Sequence, residues 1–279
     1  MLRLGLVGCG RIAERGWVPA IQRVPGLRLA GVVDRDLARC AAVAPGVPAF
    51  QDAAALTGVD AVIVATPAAS HVDDAAAAGV PALVEKPPAP SAEEARVLAA
   101  LDPQPFVGFN RRFDPEIRSL RSRISGRKPL KLHLVLHYRR TRWAPIEDSS
   151  DALLDLGPHL ADLARWLTRS DVEDVRTRVL EDERFRLELK LNHGTALIEG
   201  ATDCRWREEV VLAGVGRHRR GGLIRLCRDD SLVASLAAEL TAFVSAVGGS
   251  DPGDLATALD GVAAMEVLDD VRRAACSPS

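Results

Sequence analysis

Hydrophobic and polar positions follow two rhythms along this 279-residue chain, and the change between them divides it. Through the first 110 or so residues, short apolar runs alternate with helical patterns. The runs fall at 2–7, 27–33, 60–65, 81–84 and 105–109. The run 60–65 is continuous, as expected of a strand buried on both faces of a parallel sheet. Between the runs, residues 11–24 read as a helix stopped near Pro25-Gly26, and about 36–44 form an Ala-rich segment. A further helix over 70–78 stops at Gly79, and Ser91-Ala92-Glu93-Glu94 forms a capping box for a helix to about Leu101. This βαβα alternation predicts a parallel sheet wound with helices on both faces.

After about residue 118 the period changes. Leu132, Leu134, Leu136 and Tyr138 alternate with Lys131, His133, Val135 and His137, the pattern of a half-buried strand. An amphipathic helix spans 158–168, with Leu160, Leu163, Ala164 and Leu167 near one face. Segments 172–181 and 184–192 alternate again, and Asn192-His193-Gly194 suits a hairpin turn into 195–201. Further strand-like runs at 206–213 and 222–228 imply a mostly antiparallel sheet. Helices over 232–247 and 254–274 close the chain around a Gly/Pro-rich break at 248–253. The fold class is therefore α/β. Two mostly sequential domains fit this pattern, one on a parallel sheet (1–118) and an α+β domain (119–279), whose C-terminal helix is a candidate to pack back on the first.

Composition excludes some function classes. Apolar residues at 47% and charged ones at 27% are ordinary for a globular chain. A formal charge of −2 gives no reason to expect nucleic acid or an anionic membrane as partner. No run approaches the roughly 20 apolar residues of a membrane span, and the N-terminal apolar stretch, interrupted by Arg3, is too short for a signal peptide. The expected location is the cytoplasm. Five scattered cysteines form no CxxC pair, so no metal site is expected, and Cys9 reads as a small filler. Only four of 36 basic residues are lysine (Lys86, Lys128, Lys131, Lys190). A lysine kept inside a motif then suggests a need for an amine that titrates.

Candidate chemistry begins at the first run, which leads into Gly8-Cys9-Gly10-Arg11-Ile12-Ala13. Gly8 would make the tight turn, Gly10 would let a pyrophosphate approach the backbone, and Ala13 would let helix and strand pack closely. The phosphates would rest on the helix N-terminus. The second run ends in Asp34, at about the twenty-residue distance expected for a ribose 2′-OH acceptor. An incidental glycine turn is the plain alternative. Ligands of open α/β sheets lie beyond the carboxyl ends of the strands, where Thr66 to His71 and Glu85-Lys86-Pro87 also fall. Lys86 is either a proton-exchanging amine or a surface lysine paired with Glu85. His71 either touches cofactor or simply occupies a first helical turn. Further on, Asp155-Leu156-Gly157-Pro158-His159 predicts a helix starting at Gly157 or Pro158. His159 would then lie in its first turn, where the dipole keeps the ring neutral. Asp155 would cap the helix or hold the second ring nitrogen of His159.

These pieces together resemble the Gfo/Idh/MocA family of NAD(P)-dependent oxidoreductases, named for glucose–fructose oxidoreductase and inositol dehydrogenase. The matching residues are Gly8 to Ala13, Asp34-Arg35, Thr66-Pro67 through His71, Glu85-Lys86-Pro87, Gly108 to Phe113 and Asp155-x-Gly157-x-His159, with Phe243 and Glu266 in the closing helices. The resemblance implies that 1–118 is a Rossmann dinucleotide-binding domain and 119–279 a substrate-binding domain with an open, mostly antiparallel sheet, often used for oligomerisation, hence a homo-oligomer (dimer or tetramer). It implies Lys86, Asp155 and His159 as catalytic residues. Gly8, Gly10, Arg11, Ile12, Ala13, Asp34, Arg35, Thr66, Pro67, His71, Glu85 and Lys86 become the expected cofactor contacts. The implied reaction moves a hydride between nicotinamide and a secondary hydroxyl or ketone of a small carbohydrate-like substrate: a sugar, sugar-nucleotide or cyclitol. His159 would be the acid/base, Asp155 its orienting carboxylate, and Lys86 the donor that stabilises alkoxide character.

Asp34 favours NAD, with NADP as the alternative, because Arg35 beside it could accept a 2′-phosphate. Ser149-Ser150-Asp151-Ala152 replaces the glycine-rich run common in the family, which alters the expected pocket floor. Tyr138, the only tyrosine, is the one candidate for a tyrosine-based relay. Rival readings are an NAD-dependent glycoside hydrolase or lyase acting through transient oxidation, a reductase of a tetrapyrrole or imine, and a nucleotide-sensing scaffold without catalysis.

Overall fold

In a computed structural model, the described residues are 1–124, 126, 129–143, 151–221 and 226–276. The expectation about Ser149 and Ser150 lies outside them. In chain order the elements are β1 (Leu2–Val7), α1 (Val18–Arg23), β2 (Leu27–Val33), α2 (Leu37–Val43), β3 (Ala49–Phe50), β4 (Ala61–Val64), α3 (His71–Ala78) and β5 (Ala82–Glu85). Next come α4 (Ala92–Ala99), β6 (Phe106–Gly108), α5 (Pro115–Ser122), β7 (Leu130–Arg139), α6 (Ala152–Thr168) and β8 (Val172–Glu181). The last are β9 (Arg184–Leu191), β10 (Gly194–Ala201), β11 (Asp203–Leu212), β12 (Gly216–Gly221), α7 (Leu226–Val247), β13 (Ala256–Thr257) and α8 (Ala258–Cys276). They form two units, Met1–Phe113 with Arg225–Val262, and Asp114–Ile224 with Ala263–Ser279.

The first unit is built on a sheet of order β13-β6-β5-β4-β1-β2-β3, parallel except for β13. Its strands are buried on both faces, which explains the continuous apolar runs. Leu4, Leu6, Ile63 and Leu83 pack on one side with Trp17, Ile21, Leu236, Leu240 and Phe243. Val7, Val62, Val64 and Val84 pack on the other with Ala75 and Leu98. A cut at residue 118 would place α7 in the second domain. Its packing assigns it to the first, because the apolar face of α7 covers α1 and the strands. One stretch of α7, Asp230–Val247, is long and apolar enough by composition to cross a membrane, with a mean hydropathy of 1.4. Here its Val233, Leu236, Leu240 and Phe243 belong to the core. Each such side chain contributes about 1.5–3 kcal/mol on full burial.

The second unit holds a six-stranded sheet of order β12-β11-β7-β10-β9-β8. Four of its pairings are antiparallel, whereas β7 and β10 run parallel. The sheet is thus mixed, since α6 and the β8–β9 hairpin intervene between those two strands. Helix α6 packs on β7, β8, β9 and β10. Leu153, Leu156, Leu160, Leu163 and Leu167 of α6 are buried, as are Leu130, Leu132, Leu134 and Leu136 of β7.

One strand and one helix expectation are corrected. The strand after β11 is Gly216–Gly221 rather than 222–228. Residues 222–225 lie outside the described set, and 226–228 already belong to α7. The helix predicted over 158–168 begins earlier, at Ala152, capped by Asp151, whose carboxylate accepts from the Leu154 N–H (2.7 Å). Pro158 is therefore interior to the helix, where its missing N–H removes one ladder bond.

Candidate active site

In the first unit the strand order reverses at β1, which lies between β2 and β4. Ligands of open α/β sheets bind outside the carboxyl ends of strands at such a switch point. Gly8 leaves β1 there with φ +97°, and an added Cβ would come within 2.6 Å of the Ala65 carbonyl. Only glycine accommodates both that φ and the close passage of the loop after β4. A Cβ on Gly10 would meet nothing within 4 Å, so the backbone there is open to a ligand. Ala13 is fully buried at the start of a π-helical stretch, Ala13–Trp17, that leads into α1.

Asp34, at the end of β2, ties this turn down. Its Oδ2 accepts from the Cys9 N–H and its Oδ1 from the Asp36 N–H, both at 2.9 Å. The carboxylate is half-buried with a fixed orientation, while Arg35 is exposed. The Cys9 thiol is buried 3.6 Å from the Cys40 sulfur, and burial pushes it well above the usual thiol range. It is a filler, as the sequence suggests.

Thr66 follows β4, and its hydroxyl donates to Asp74 Oδ2 (2.6 Å). His71, expected to touch cofactor, is 1% exposed and turned toward the backbone. Its Nε2 lies 2.7 Å from the Thr66 carbonyl and its Nδ1 3.3 Å from that of Pro88. The ring links the loops after β4 and β5, and burial lowers its basicity below the ordinary imidazole value.

Glu85 ends β5, and Lys86, half-buried, follows at the same sheet edge before a cis bond to Pro87. Glu85 does not lie beside Lys86 as a surface partner. Its carboxylate is buried, Oε1 accepting from Trp17 Nε1–H (2.8 Å) and Oε2 from the Lys86 backbone N–H (3.0 Å). Burial pushes this carboxyl up, opposed by the Lys86 charge and the two N–H donors. Trp17 thus anchors the helix after the glycine turn to the residue preceding Lys86. No sequence motif signals that link, because Trp17 and Glu85 are 68 positions apart.

In the second unit, Asp155 and His159 stand one turn apart on α6, four residues being the spacing that puts side chains on one face. With the helix starting at Ala152, Asp155 lies in its first turn and His159 in its second. The role of cap therefore belongs to Asp151, and the helix dipole is not what acts on the imidazole. His159 is instead enclosed, at 7% exposure. Asp155 Oδ2 accepts a hydrogen bond from the Tyr138 hydroxyl and lies 3.8 Å from the Arg140 guanidinium. Burial and the Asp155 charge push the Tyr138 phenol above its ordinary value, so it stays a donor.

The glycine turn, the anchored aspartate and the switch point define a dinucleotide-binding Rossmann protein, and the open backbone at Gly10 fits the group such proteins hold. Residues 2–104 match the family described as oxidoreductases with an NAD-binding Rossmann fold, GFO_IDH_MocA. An inositol 2-dehydrogenase of Pseudarthrobacter chlorophenolicus is 34% identical over 193 residues, covering 64% of this chain and 57% of that protein. Inositol 2-dehydrogenase 2 of Paenarthrobacter aurescens is 28% identical across 95% of this chain and 93% of its own length. The chain spans only 57–61% of the length of the Pseudarthrobacter chlorophenolicus relative and of two others it matches. Among solved structures, scyllo-inositol dehydrogenase from Lactobacillus casei with bound NAD(H) and scyllo-inositol superposes with a TM-score of 0.82. That superposition covers 98% of this chain and 96% of that one at 18% identity, a likeness of fold.

Proposed function

We propose that the protein is an NAD-dependent dehydrogenase or ketoreductase acting on a secondary hydroxyl or ketone of a cyclitol or sugar. The observation that carries this reading is the place of Lys86. It follows β5 directly, at the sheet edge shared by Gly8 and Thr66, and its backbone is held by the buried Glu85. Named relatives that act on inositol support the substrate class.

When bound, nicotinamide supplies or accepts the hydride. The chain's own residues handle the proton and the oxygen. His159 takes the hydroxyl proton during oxidation and returns it during reduction. Asp155, on the same helix face, orients the ring. Lys86 donates to the oxygen as it gains alkoxide character. The carboxylate of Asp34, fixed by two backbone donors, accepts from a ribose 2′-OH and repels a 2′-phosphate, which favours NAD over NADP.

We read the protein further as a cytoplasmic homo-oligomer, a dimer or tetramer. In support, α6 lies against one face of the second unit's sheet, while exposed strand positions carry ion pairs such as Arg186–Glu199 and Arg178–Glu188. Light scattering of the purified protein checks the assembly.

A screen of cyclitols and sugars with NAD and NADP, read as absorbance of reduced nicotinamide, tests the activity. Turnover with NAD should fall by roughly 10²–10⁴-fold in Lys86→Met, with cofactor binding retained. Full turnover in that variant would remove the proposed chemistry.

A further inference from the structure

The row of β7 side chains that faces α6 reads Leu130, Leu132, Leu134, Leu136, Tyr138. Four leucines fill the layer between sheet and helix, and the fifth position changes from aliphatic to phenolic. Another leucine would continue the packing. A partly buried phenol costs stability unless its hydroxyl finds a partner. That partner is Asp155 Oδ2. Arg140, at the start of the 3₁₀ turn Arg140–Trp143 that follows β7, approaches the same oxygen at 3.8 Å. Strand end and turn both address Oδ2 and so hold that oxygen in place.

We propose that Tyr138 is a positioning residue for the reaction, holding Asp155 through Oδ2 so that the carboxylate presents a constant orientation to His159 one helical turn away. This rests on the proposed roles of Asp155 and His159. The charged and titratable groups around Asp155 come from several elements. Tyr138 and Arg140 lie at the β7 end, and His159 lies on α6 itself. At the helix start, Asp151 pairs with Arg272 of α8 (3.2 Å). Buried positions of β9 and β10 near α6 are apolar: Phe185, Leu187, Leu189, Ala196 and Ile198. The Tyr138 hydroxyl also meets Arg140, so its removal acts on the cluster through Asp155 and Arg140 together. The carboxylate would keep more of its charge for the imidazole, and imidazolium would form at higher pH.

The test is an NMR titration of the six histidines in Tyr138→Phe and in Tyr138→Leu, which extends the leucine row, with His159→Asn assigning the signal. The His159 midpoint should rise by about half a pH unit or more in both variants. With a turned-over cyclitol or sugar, the acid limb of kcat/KM should move the same way and kcat should fall about tenfold, as for one hydrogen bond to a charged group. NAD affinity should not change. An unmoved midpoint in either folded variant overturns the proposal, even if thermal stability drops. If the midpoint moves while Lys86→Met and His159→Asn keep full turnover, the positioning stands and the dehydrogenase reading fails. If those two lose turnover while the Tyr138 variants match the parent in midpoint and profile, only the positioning fails.

Discussion

The sheet edge that carries Lys86 and the helix face that carries Asp155 and His159 are built on different principles. At the sheet edge, backbone does the placing. Gly8, Thr66 and Lys86 follow the ends of β1, β4 and β5 within two residues, so parallel pairing alone brings their loops to one edge. At the helix face, side chains from distant segments do it. Asp155 is held by Tyr138, 17 positions earlier, and the start of the helix by Asp151, which also pairs with Arg272, 121 positions later. Strand-end chemistry is therefore written in short contiguous motifs, whereas the helix face depends on partners that no local pattern names.

The sharpest break in this comparison is kinetic. Lys86→Met and His159→Asn should each lower kcat by roughly 10²–10⁴-fold, and the double variant should lose far less than the product of the two. Fully multiplicative losses, measured in the same assay, would mean that edge and helix act independently. Next in size is Gly8→Ala. The strain at φ +97° is about 1–3 kcal/mol, before the contact with the Ala65 carbonyl is counted. Calorimetry should show a lower Tm and nicotinamide fluorescence a weaker NAD affinity. An unchanged pair of values would contradict backbone placement.

Trp17→Phe probes a long-range contact at the sheet edge. It removes a donor from the buried Glu85 carboxylate and should cost about 1–3 kcal/mol in urea unfolding. The same site has a pH signature. Glu85 is raised above its ordinary 4.5 on folding, so the native state holds its proton more tightly than the unfolded chain. Its contribution is full below pH 4.5 and is lost as pH rises through the native value. Glu85→Gln should flatten that part of the stability profile, and an unaltered slope would refute the shift. The smallest effect belongs to Asp151→Ala, a lost helix cap worth about 1 kcal/mol, with Asp151→Asn recovering most of it.

Some of the expected residues were legible only in type. His71 was readable as a polar residue in a loop facing the ligand edge, yet its ring is used to join the Thr66 and Pro88 carbonyls. The start of α6 was misplaced because Pro158 is a strong first-turn signal, whereas Asp151 competes with it only once the preceding chain direction is known. Tyr138 was visible as a lone tyrosine, but its bond to Asp155 requires the strand to be laid beside the helix.

From the sequence alone come the parallel sheet, the glycine turn, the place of Asp34 at the end of β2, the lysine after β5 and the four-residue spacing of Asp155 and His159. Each depends on neighbours within a few positions, where steric limits and hydrophobic period act directly on the chain. Tertiary structure alone decided that α7 belongs to the first unit, that β7 and β10 pair in parallel, that Trp17 holds Glu85, and that Tyr138 and Arg140 hold Asp155. Those contacts join segments far apart in sequence. Which distant partner wins is settled by how whole elements pack, and no local window contains that information.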